Sequence, residues 1–220
     1  MASVASPYGL RPINLIGGQA FNGGVIREYK VASNNSAAIF NGDLVVLSAA
    51  GLPSAVGSSP VAIKIPATSA DATAGIVGVC VGCRYTDSVG IIQYRQYLPA
   101  NLITGGATDV YVRVMDDPDA LFQIQGTAAL GTFNSGTGGS GWPGAIGKNA
   151  ALGFGTSGST ATGNSGMNLV VGSNGGSLAA TSTLAVRIVD MVDGTQTDTY
   201  PEFIVKLNVG VHSYTNSLGV

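Results

Sequence analysis

Three aspartates, Asp116, Asp117 and Asp119, crowd around Pro118 in "YVRVMDDPDALFQIQ" (111–125), in a chain where Asp, Glu, Lys and Arg together make up only 10% of residues. Carboxylates so spaced can hold a metal, work as an acid–base pair, or shape a turn. A calcium loop needs oxygens spread along a flexible loop, a glycine at the bend and a distal bidentate glutamate. The stretch has none of these. Val112 and Val114 alternate with their neighbours before the aspartates, and Phe122 and Ile124 do so after them. That is strand, turn, strand, with these four residues facing inward. Asp117 fits the first turn position, Pro118 the second with its φ preset, and Asp119 the third. Asp116 and Asp117 can accept hydrogen bonds from the turn's N–H groups. The aspartates read as a hairpin corner.

The other chemical candidates are weaker. "CVGC" (80–83) resembles half a zinc knuckle, but a structural zinc needs four ligands and only His212 remains to add to the two cysteines. Positions three apart on a strand also face opposite sides, so Cys80 and Cys83 are expected to diverge as buried thiols. "GTGGSG" (136–141) and "GFGTSG" (153–158) match the dinucleotide fingerprint. That pattern carries meaning only between a strand and a helix, and neither context is present. His212, the one histidine, has no serine in a G-x-S-x-G elbow to activate and reads as a satisfied polar residue at a strand end. Tyr94, Arg95 and Tyr97 in "IIQYRQYL" (91–98) could stack on sugars or bases, although aromatics on a half-buried strand more often pack. No catalytic residue, cofactor site or metal ligand is expected, and the chain reads as a non-enzyme.

Short apolar or alternating runs bounded by Gly, Pro, Asn and Asp recur along the chain. They predict strands near 25–32, 44–48, 61–66, 76–85, 91–98, 109–115, 121–125, 168–172, 184–192 and 203–211. "NGD" (41–43) and "DGT" (193–195) supply residues that tolerate positive φ at turns. Helical periodicity is nearly absent, with one turn expected at "KNAAL" (148–152). The expected fold is all-β, an antiparallel sandwich or barrel of about ten short strands. Three regions are expected: an extended N-terminal arm over 1–24, a β core from 25–125 and 183–220, and a Gly/Ser/Thr-rich excursion over 126–182. The excursion holds 16 of the 33 glycines. A structureless loop of that length is unusual inside a compact domain, so it is expected to gain order by packing on a neighbour.

Net charge is −2, and the ten basic residues are scattered without a cluster, so nothing supplies the grouped cations of a nucleic-acid groove. No apolar run approaches the ~20 residues of a membrane span. The start, "MASVASPYGLRP", does not read as a signal peptide, which makes synthesis in a cytosol the expectation. A chain this poor in charge is ill protected against self-association, which favours a surface partly covered by partners. Tyr8, Leu10, Arg11, Pro12, Ile13, Leu15 and Ile16 form the candidate partner-binding arm. Such an arm can lie in a groove of another protein, each fully buried apolar side chain contributing about 1.5–3 kcal/mol before ordering costs.

Several stretches together carry a resemblance: "SPYGLRP" (6–12), "IFNGDLVVLSAAG" (39–51), "AGIVGVCVGCRYTD" (74–87), "YLPAN" (97–101), "VMDDPDALFQIQ" (114–125) and "VKLNVGVHSY" (205–214). They resemble virion structural proteins of tailed bacteriophages, in particular head decoration (cement) proteins seated outside the major capsid shell. The resemblance implies an all-β body, a homotrimer, and the major capsid protein as partner. It implies a place on the capsid exterior after synthesis in the bacterial host cytoplasm, with no nucleic acid, membrane or small-molecule substrate bound. The Gly-rich 126–182 segment departs from the smallest members of that group. A receptor-binding or tail-fibre-type module is the alternative, motivated by tyrosines and Gly/Ser-rich loops. A hydrolase relying on His212 is a third reading, and a shell protein is disfavoured by the lack of long helices.

Overall fold

The computed structural model describes residues 4–18, 26–33, 35–47, 61–64 (backbone), 76–130, 142–153, 158–171, 178–208, 212 and 214–215. Along the chain run β1 (Arg11–Leu15), β2 (Ile26–Val31), β3 (Leu44–Leu47), β4 (Val61–Lys64), β5 (Ile76–Thr86), β6 (Ile92–Arg95), β7 (Thr108–Met115) and β8 (Ala120–Gln125). A single helical turn, α1 (Trp142–Ala145), comes before β9 (Asn149–Ala150), β10 (Leu152–Gly153), β11 (Asn168–Leu169), β12 (Val186–Met191) and β13 (Glu202–Leu207). The fold is all-β and almost without helix, as the alternating runs required. Among the described residues, no helix is long and apolar enough to cross a membrane.

Sandwich and barrel turn out to be combined. One sheet has the order β1-β8-β13-β12-β9, every pairing antiparallel. The other runs β3-β4-β2-β7-β5-β6 and curls until β3 pairs with β5 as well as with β4. Its pairings therefore form a ring of five strands, with one parallel contact between β2 and β4. The long β5 shares one edge between β3, opposite Val79, and β6, opposite Cys83–Thr86, while β7 runs along its other edge. β10 and β11 form a separate two-stranded ladder.

Alternation along these strands builds two cores. Tyr29, Val31, Val45, Val77, Val112 and Val114 gather inside the curl. From its other face Leu44, Val46, Ile76, Val79 and Met115 meet Phe122, Ile124, Val186, Ile188, Phe203 and Val205 of the five-stranded sheet. The inward set expected on the 112–124 hairpin is buried, but it divides between the cores: Val112 and Val114 lie in the first, Phe122 and Ile124 in the second.

Four expectations change. Residues 11–15 are a strand of the chain's own sheet, paired with β8 from Arg11 opposite Gln123 to Leu15 opposite Ala120. Leu10 is fully buried in the sandwich core. The described part of the 1–24 arm thus belongs to the body. The same holds for the described parts of 126–182, which place Ala150, Leu152, Met167, Leu169 and Val171 in that core and pair β9 with β12. Glycine is the physical reason: it lets backbones approach where a side chain would collide. A Cβ on Gly158 would sit 2.3 Å from the Phe40 ring, and one on Gly9 would sit 2.8 Å from the Gly42 carbonyl oxygen. "KNAAL" forms strands instead of a helical turn. Finally, Cys80 and Cys83 enter the same core, because the β5–β7 register slips between Cys80 and Gly82. Such a bulge inserts one residue and re-aims those that follow.

Candidate interaction surface

The aspartate corner is a turn whose three carboxylates have separate structural tasks. The Ala120 N–H donates to the Asp117 carbonyl at 3.1 Å, closing the turn. The Asp119 N–H donates to Asp117 Oδ1 at 2.8 Å, and Lys206 Nζ pairs with Asp119 Oδ1 at 2.7 Å. Asp116 turns inward. Its Oδ2 accepts from the Tyr29 hydroxyl and lies 2.5 Å from Arg27 Nε. The Tyr29 and Tyr214 hydroxyls lie 2.8 Å apart, and the Arg27 guanidinium stands 5.1 Å over the Tyr214 ring. This network fastens Tyr214 to β2 and the β7–β8 corner.

His212 belongs to the same fastening. It is fully buried, its Nε2 lies 3.1 Å from the Asp116 carbonyl oxygen, and its Nδ1 faces the Tyr214 N–H at 3.3 Å. Those contacts require the tautomer with the proton on Nε2. Burial holds its pKa below the ordinary value, against a smaller opposing pull from Asp116. The two thiols are buried and unbridged. Cys83 donates to the Tyr97 carbonyl at 3.1 Å, and burial pushes its thiol pKa up to about 11, far from the thiolate that nucleophilic or ligating chemistry needs. Among the described residues, no three His, Cys, Asp or Glu side chains gather where they could hold a metal.

The seven arm residues are placed unequally. Leu10 faces the core; Pro12, Ile13 and Leu15 are half-buried along β1; Arg11 and Ile16 are exposed. Tyr8 is half-buried, with the Arg11 guanidinium 4.6 Å over its ring. Burial raises the Tyr8 phenol pKa, with Glu202 adding to the effect. β1 ends its sheet, so its far side pairs with no described strand.

The more exposed surface lies elsewhere, on the β5–β6 hairpin. Val89, Ile91, Ile92 and Tyr94 are 76%, 58%, 61% and 71% exposed. The loop that presents them is well braced: Asp87 Oδ1 accepts from the Val89 N–H at 3.1 Å and the Ile91 N–H at 2.9 Å, and Gly90 takes a φ of 87°. Hydrogen bonds, that from Ile91 first, hold the Asp87 carboxyl below its usual range. Across the adjoining strands Lys30, Tyr111, Arg84 and Tyr94 stand in register. Arg84 stacks 4.3 Å over the Tyr111 ring and pairs with Glu28 at 2.8 Å. Tyr97, by contrast, packs on Phe40 with ring centroids 5.1 Å apart. Of the tyrosines in "IIQYRQYL", Tyr94 is therefore the one available to a partner. Apolar residues on both sides of a glycine at a hairpin tip were the sequence signal for this surface.

Rigid aromatic, arginine and aliphatic groups around one strand edge are the composition of protein-binding hot spots. Compared with known proteins, the chain matches no family model, no curated protein and no solved structure.

Proposed function

We propose that this chain is a head decoration (cement) protein of a tailed bacteriophage, which binds the outside of the major capsid shell and stabilises the head. The observation that carries the reading is the β5–β6 hairpin, with four exposed large apolar side chains on a braced loop. Water leaves such groups favourably when a partner covers them, at roughly 25 cal/mol per Å² of apolar surface. The edges of β6 and β1 add main-chain groups that a foreign strand can pair with. A homotrimer engaging three sites at once would gain further through effective concentration.

The test is binding of purified protein to shells assembled from the major capsid protein. Ile92→Asp and Tyr94→Asp, both at exposed positions, are expected to keep the unfolding midpoint of the wild type while weakening shell binding by about 2 kcal/mol each, the range of hot-spot residues. Undiminished binding by the double variant would overturn the role of this hairpin.

A further inference from the structure

A second surface, on the side of the molecule where β1 passes the curled sheet, has a different character. Two hollows of about 490 Å³ and about 360 Å³ meet there, sharing Arg11 and Asn164. Arg113 borders the second hollow. Among the described residues no carboxylate lies within ion-pair distance of either guanidinium. Glu28, opposite Arg113 on the neighbouring strand, is taken by Arg84, and Glu202 accepts from Gln123 Nε2. Asp43, below the floor, accepts from the Ser165 hydroxyl at 2.6 Å.

The hollow that holds both arginines is walled by the carboxamides of Asn41, Gln96 and Asn164 and by Pro12, Ile26 and Val81. Gln96 Nε2 donates to Asn164 Oδ1 at 2.6 Å, which orients both amides at the groove they line. Gly163, at φ 75°, brings its loop under Gln96, where a Cβ would lie 3.0 Å from the glutamine side chain. Thr162 and Ser159 add hydroxyls. Mixed donors and acceptors match sugar hydroxyls, which both give and take hydrogen bonds, and each guanidinium offers a bidentate fork to a carboxylate. Both hollows are open depressions along which a chain of a few sugar rings could lie.

We infer that this groove binds an acidic oligosaccharide, its carboxylates on Arg11 and Arg113 and its hydroxyls on the Gln96–Asn164 pair. An acidic peptide would use the arginines too, but its main chain offers one donor and one acceptor per residue in place of several hydroxyls on each ring.

Calorimetric titration with trigalacturonate, maltotriose and hexaglutamate tests the assignment on the full chain. Trigalacturonate binds saturably, while maltotriose and hexaglutamate each bind at least about tenfold more weakly, the value of one charge-assisted contact. Arg11→Gln and Arg113→Gln each cost about tenfold against trigalacturonate. Lys148→Gln, which removes the same charge outside the groove, costs nothing. Absence of saturable trigalacturonate binding, equal binding of hexaglutamate, or an equal loss in Lys148→Gln overturns the inference. An unfolding midpoint for each variant separates loss of the site from loss of the fold.

Discussion

Asp116 is a buried carboxylate with two side-chain partners. Its buried side chain accepts from the Tyr29 hydroxyl and pairs with Arg27, so Asp116→Ala removes a charged acceptor and leaves the Tyr29 phenol only the neutral Tyr214 hydroxyl. The expected cost is about 2–3 kcal/mol, visible as a lower denaturant midpoint at unchanged slope. His212 makes stability depend on pH with a definite sign. Its folded pKa lies below the ordinary 6.5, so the unfolded chain binds more protons near that pH, and stability rises with pH. The contribution is complete above 6.5 and is lost as pH falls through that value toward the lower folded pKa. Protonation at Nδ1 also removes the acceptor for the Tyr214 N–H. Asp116, Asp117 and Lys206 are the charges that act on it, and its ring packs near that of Tyr214. Urea unfolding at a series of pH values is expected to show a shallower decline from pH 7 to 5 in His212→Gln than in the wild type. Parallel curves would remove His212 from the account.

At the scale of elements, the β5–β7 pairing is the most constrained. A Cβ on Gly78 would lie 2.1 Å from the Met115 carbonyl oxygen, so Gly78→Ala must separate the two strands. A loss of about 3 kcal/mol or more is expected, or failure to fold, read by near-ultraviolet circular dichroism. On β1's flank, Leu10→Ala is expected to cost about 2–5 kcal/mol, which a freely dangling arm would not show. The expected strands were readable because each is a short apolar or alternating run between turn residues, although 168–172 is a strand only at Asn168–Leu169 among its described residues. β1 was not, because Pro12 argues against a strand interior and is tolerated at a sheet edge. β9 and β10 are two residues each, too short for any period to register. The bulge at Gly82 was equally invisible, since it is a property of two strands together.

For the whole molecule, surface proved harder to read than core. In "IIQYRQYL" large side chains occupy both faces, so alternation alone could not say that Tyr94 points to solvent and Tyr97 to Phe40. The groove gathers Arg11, Gln96, Arg113 and Asn164 from four distant stretches, and nothing local in any of them marks it. The two surfaces also predict different salt responses. Shell binding through the apolar hairpin should change little between low and moderate ionic strength, whereas binding at the arginine groove should weaken as screening grows. Titrations in 50 and 300 mM sodium chloride, values chosen to straddle a Debye length of about 10 Å, would check both.

β13, the last of the described strands, lies in the middle of its sheet, with β8 on one side and β12 on the other. The sandwich therefore cannot close before β13 has been made; until then β8 and β12 have no common neighbour and one wall of the core is missing. A product terminated before Glu202 would lack the strand that joins β8 to β12 and is expected to be cleared by proteases. The strand order itself thus makes closure of the core a check that synthesis has passed β13.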